Sequence, residues 1–180
     1  MDTGAWFALV DTSDQYHKQA VDEYPKLLKT CDHLTTTNLV IAETYILIRH
    51  AIGHEPAIAF LENIAASPRV IKIYSDSVLE ETAEKILRRY QDQDFSYTDA
   101  VSFAVMEQYG ILKAFSFDQH FVTAGFTLMP CAVLPKSPSP YRESVSATWH
   151  DRICKSGPSG EQGNKGSFLT SRKVWGIFEI

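Results

Sequence analysis

DFSYTDAVSFAVMEQYGILKAFSFDQHF, residues 94–121, is the stretch that decides how this chain folds. Ser96 followed three residues later by Asp99 is the S-x-x-[DE] signature of a helix start, where hydroxyl and acid each accept a backbone N–H left free by the first turn. Gly110 supplies the left-handed residue on which helices end, so one helix is predicted between them. ILKAF, residues 111–115, is short and apolar, which predicts a buried strand. Asp118 then stands just past its carboxyl end. An acid opening a helix and another closing the next strand are placed to meet at one edge of a parallel sheet.

The same alternation runs through the residues before it. Residues 3–10 predict a short helix. Asp14 is expected to cap a second, running to about Leu28 with Ala20, Val21, Tyr24, Leu27 and Leu28 facing inward and Pro25 bending it. His33 to Thr37 predicts a strand, and Asn38 is expected to cap a strongly apolar helix over residues 39–52 that Gly53 ends. Pro56 sits in the first turn of a helix reaching Ala66. Val70 to Tyr74 predicts a strand, Asp76 with Ser77 opens a helix to about Tyr90, and Thr127 to Met129 predicts a final short strand. Strands and helices in this order define an α/β fold: a central parallel sheet covered on both faces, in three α/β/α layers.

Composition sets the outer limits. With 44% hydrophobic and 12% aromatic residues among 180, the chain can bury one substantial core. No run approaches the ~18 apolar residues that span a bilayer, and no basic stretch followed by an apolar one opens the chain, so the cytoplasm is the expected location and no membrane the expected partner. Cys31, Cys131 and Cys154 are odd in number and widely spaced, which predicts reduced thiols. Ser, Pro and Gly supply 17 of the 50 residues after Pro130 but only 15 of the 130 before it. Residues 1–130 are therefore expected to form the domain, and residues 131–180 a disordered tail. Charge divides at the same place, with a net of −8 before the break and +3 after it. So acidic a body argues against broad affinity for nucleic acid, and a nucleic-acid substrate would have to be held by bound metal and a few local bases.

Four carboxylates, Asp2, Glu43, Asp99 and Asp118, each lie at the edge of an apolar segment. Gathered in one place they would repel one another unless a cation intervened, and hard oxygen ligands favour Mg²⁺ or Mn²⁺. Glu43 sits inside LVIAETYILI, where an acid occupies either a narrow wet edge or a site. Asp2 also has the position of a helix cap, and Asp118 that of a turn residue with Gln119. The six histidines show no ligand spacing. His120, beside Asp118, is expected to touch substrate phosphate, and Arg49, Arg88 and Arg89 on solvated helix faces are the best available phosphate contacts.

DTGAWFALVDTSDQYHKQA at residues 2–20, TTTNLVIAETYILI at residues 35–48 and the stretch at 94–121 together resemble the PIN-domain nuclease family, and within it the VapC-type toxins of type II toxin–antitoxin pairs. No single piece is specific; their order and spacing are. The resemblance implies a PIN-like fold and metal-dependent hydrolysis of RNA with Mg²⁺ or Mn²⁺ as cofactor. It implies a small antitoxin protein as partner and leaves a homodimer open. Residue by residue, it makes Asp2, Glu43, Asp99 and Asp118 the catalytic acids, with Asp2, Asp99 and Asp118 as metal ligands. Thr3 matches the hydroxyl position beside the first acid, Asn38 a polar group behind the ligands, and Asp94 a fifth acid. It also implies an apolar first strand before the first acid, where only Met1 stands, so that strand is expected to be truncated. Two rival readings remain open: an inactive PIN module that binds an antitoxin or RNA, and a phosphatase-like or receiver-like domain with Asp2 as nucleophile. The second rival lacks an acid at position 4, which is glycine.

Overall fold

The structure is a computed structural model and describes residues 1–130; the expected disordered tail, with Cys131 and Cys154, lies outside the described residues. The elements run α1 (Thr3–Val10), α2 (His17–Thr30), β1 (Leu34–Thr37), α3 (Asn38–Ala51), α4 (His54–Ala66), β2 (Val70–Ile73), α5 (Ser77–Arg89), α6 (Tyr97–Tyr109), β3 (Lys113–Phe115), α7 (His120–Thr123) and β4 (Thr127–Met129). Among them no helix is long and apolar enough to cross a membrane.

Local chemistry explains most of the boundaries. The Asp76 carboxylate accepts the N–H groups of Val78 and Leu79 and starts α5. Ser96 and Asp99 form the reciprocal capping box of α6, and Gly110 ends that helix at φ +63°, a conformation that costs glycine little. Two boundaries differ from expectation. Thr37, not Asn38, caps α3 by accepting Val40 N–H; the threonine was read as strand, and it is both the last strand residue and the cap. Asp14 stands outside α2 and accepts Tyr16 N–H at 2.7 Å, a turn that precedes the helix rather than capping it. Gly53, at φ +141°, ends α3 as expected, its N–H donating to Ile48 O at 3.0 Å, and it serves as the N-cap of α4 as well.

The core lies around α1 and α6. Ala5 to Val10 of α1 and Ala100 to Met106 of α6 are buried on all sides, as expected of helices enclosed by others. Around them α1 packs on α2 and α3, α3 on α4, and α5 on α6. The C-terminal end of α2 is tied down by Arg69, whose guanidinium donates to the carbonyls of Leu28, Cys31 and Asp32.

The strands form two parallel pairs, β1 with β2 and β3 with β4, rather than one continuous ladder. Between them stand Met1 and Asp2. The Met1 amino group donates to Thr35 O at 2.8 Å and Asp2 N–H to Phe115 O at 3.2 Å, so one residue reaches β1 and the next reaches β3. The centre of the sheet, where the resemblance implies a full strand, is held among the described residues by these two. β3 is also shorter than expected, because Leu112 is 73% exposed and only Ala114 and Phe115 of the strand turn inward.

Candidate metal centre

Asp2 enters the site from the start of α1, where its backbone bond to Phe115 sets it beside the end of β3. The residue is 7% exposed. Burial first, then the charges of Asp99 and Asp118, push its pKa from the ordinary 3.8 up to about 7. The Ser116 hydroxyl, donating to Asp2 Oδ2 at 2.9 Å, pulls in the opposite direction. A carboxyl raised in this way costs stability when ionised, and the loss grows as pH rises from the ordinary value toward 7.

Ser116 carries a second link that sequence reasoning missed. Its oxygen accepts Asp118 N–H at 3.0 Å, so one buried hydroxyl sets the first acid and the last acid against each other. The only trace in the sequence is a serine two residues before Asp118, a spacing too common to single out. Asp118 Oδ1 in turn accepts His120 N–H at 2.9 Å. Asp99, 4% exposed, uses Oδ2 to accept Ser96 N–H at 2.9 Å. A carboxylate has lone pairs to spare beyond one such bond, so capping and cation binding are compatible.

Asp99, Asp118 and His120 each offer one ligand atom, all within 4.8 Å of one another. His120 Nδ1 lies 3.5 Å from Asp118 Oδ1 and 3.9 Å from Asp99 Oδ2. Glu43 is held elsewhere, on α3, where Thr3 donates its hydroxyl to Glu43 Oε2 at 2.7 Å. That bond connects the residue after Asp2 to the fourth acid; neither Glu43 nor Asp2 belongs to the group of three within 4.8 Å. Asn38 accepts Ser75 N–H at 2.9 Å and joins α3 to the loop before α5. Asp94 is exposed in the loop before α6, and Arg49, Arg88 and Arg89 are exposed near helix ends, Arg88 pairing with Glu84 at 2.8 Å. Two carboxylates and one imidazole converging beside the buried Asp2 make a donor set that fits a divalent cation.

The PIN domain family matches residues 1–126. The chain belongs to the PIN-domain family, and its relatives place it among the VapC-type members. It is 35% identical over 130 residues to the 23S rRNA-specific endonuclease VapC20 of Mycobacterium tuberculosis, covering 70% of this chain and 93% of that protein. It is 32% identical over 123 residues to a VapC ribonuclease of Archaeoglobus fulgidus, covering 67% of this chain and 77% of the relative. The crystal structure of the Mycobacterium tuberculosis VapC20, described as a sarcin-ricin loop cleaving toxin, superposes with a TM-score of 0.64 at 34% identity, covering 70% of this chain and 94% of that one.

Proposed function

We propose that this chain is a divalent-metal-dependent endoribonuclease, the toxin of a toxin–antitoxin pair. The observation that carries the reading is the buried Asp2 carboxyl facing Asp99 and Asp118, where burial first and then the charges of those two acids raise its pKa to about 7. Asp2, Asp99 and Asp118 hold the metal, Mg²⁺ or Mn²⁺. Ser116 keeps Asp2 and Asp118 in register, and Thr3 orients Glu43 toward the edge of the centre. When bound, the cation activates a water for in-line attack and offsets charge on the leaving 3′ oxygen. No side-chain nucleophile is required, and the products carry 5′-phosphate and 3′-hydroxyl ends. Arg49, Arg88 and Arg89 are exposed and available to the RNA backbone. A small antitoxin protein covering the acidic cleft would block both metal and RNA.

The relative named for its 23S rRNA specificity makes a ribosomal hairpin loop the first substrate to offer. With purified chain and such an RNA, cleavage is expected to vanish in EDTA and to return with Mg²⁺ or Mn²⁺. Cleavage that persists in EDTA would sink the reading.

A further inference from the structure

We propose that His120 is itself a metal ligand, and that its imidazole makes this centre select Mn²⁺ over Mg²⁺. The proposal rests on the metal-dependent reading above and goes beyond it, since four carboxylates alone would not choose between the two ions. Two constraints set the ring. The turn that joins His120 N–H to Asp118 Oδ1 puts the two side chains next to each other at the start of α7. Phe95 packs edge-on against the imidazole with centroids 5.1 Å apart, and Phe95 is itself wedged between Tyr90 and Phe103. Aromatic packing therefore aims the ring from the loop before α6, so the geometry is built from two parts of the chain.

The distances suit a shared ion. Ligands about 2.1–2.2 Å from one octahedral cation stand about 3.0 Å apart when adjacent and about 4.3 Å apart when opposite. The 3.5 Å and 3.9 Å separations of Nδ1 from Asp118 and Asp99 fall between these values. Small closing movements would bring the three ligand atoms onto one ion. Mg²⁺ gives up water reluctantly and prefers oxygen, whereas Mn²⁺, a first-row transition ion, accepts imidazole readily. One nitrogen among oxygens thus tilts the centre toward Mn²⁺ without any change in the acids.

The test uses the full chain, with Mn²⁺ and Mg²⁺ alone as probes. Isothermal titration is expected to show Mn²⁺ binding weakened by roughly tenfold or more in His120→Gln, with Mg²⁺ binding changed far less, so that the ratio of the two affinities collapses. Pulsed electron paramagnetic resonance of bound Mn²⁺ should show ¹⁴N coupling in the parent chain and none in the variant. Bound Mn²⁺ without ¹⁴N coupling in the parent chain overturns the proposal, and that measurement stands even if the variant fails to fold. So does a parallel fall of both affinities, which would return His120 to a structural or phosphate-contact role. If Mn²⁺ binds and is lost in Asp99→Asn but shows no nitrogen coupling, the metal centre stands and only the role of His120 falls. If Mn²⁺ does not bind at all, both fall.

Discussion

The N-termini of α5 and α6 are closed by the same chemistry and have opposite surroundings. Asp76 accepts two N–H groups at 3.1 Å and 2.9 Å and is exposed, its remaining lone pairs open to solvent. Asp99 accepts Ser96 N–H at 2.9 Å in a capping box of similar length, yet it is 4% exposed and faces Asp2, Asp118 and His120. Each cap contributes on the order of 1 kcal/mol to its helix. The difference lies in what else converges on the acid, and it turns one cap into a candidate ligand while the other remains a cap.

The largest effect expected from this contrast is catalytic. Asp99→Asn preserves an oxygen for Ser96 N–H but removes a charge from the centre, and cleavage should fall on the order of 100-fold or more while the chain stays folded by circular dichroism. The matching Asp76→Asn should cleave within about twofold of the parent. Equal losses in the two variants would erase the distinction between the sites.

A smaller effect follows from Asp2. Its carboxyl, raised to about 7, must lose a proton before it can hold a cation, so Mn²⁺ affinity should weaken by roughly tenfold for each pH unit below that value. The sign for the metal-free chain is the reverse: ionising Asp2 costs stability, so Tm should drop as pH climbs from about 4 toward 7 and level off above. Thermal melts with and without Mn²⁺ at pH 5 and pH 8 check both, and an equal stabilisation by Mn²⁺ at the two values would count against Asp2 as a ligand.

The smallest effect belongs to the exposed cap. Asp76→Ala should cost about 1 kcal/mol in denaturant unfolding by leaving Val78 and Leu79 N–H to water, with RNA cleavage unaffected. A large loss of activity there would mean that α5 takes part in the centre.

How far the sequence could be read depended on the range of the interaction involved. The Asp76 cap, the Ser96–Asp99 box and the Gly110 stop were legible because donor and acceptor lie within three or four residues, and a short pattern records such a bond. Thr37 was mistaken for strand alone because β-branched residues suit both a strand and the extended cap it adopts at ψ 160°. The PIN-like fold was legible through the order and spacing of three segments, and the family match covers the same residues. The links through Ser116 and the approach of His120 to Asp99 were not, since a serine or a histidine near an acid has no periodicity to mark it.

Sequence alone therefore decided the helices and the caps of α5 and α6, because these follow from backbone hydrogen bonding and apolar periodicity over a few residues, and it offered the acids from which a centre is proposed. Tertiary structure decided which acids meet. The bond from Ser116 to Asp2 spans 114 positions and the one from Thr3 to Glu43 spans 40. Contacts at such separations form only when strands pair and helices pack, and it is the burial produced by that packing that turns Asp2 from an ordinary acid into one that holds its proton to about pH 7.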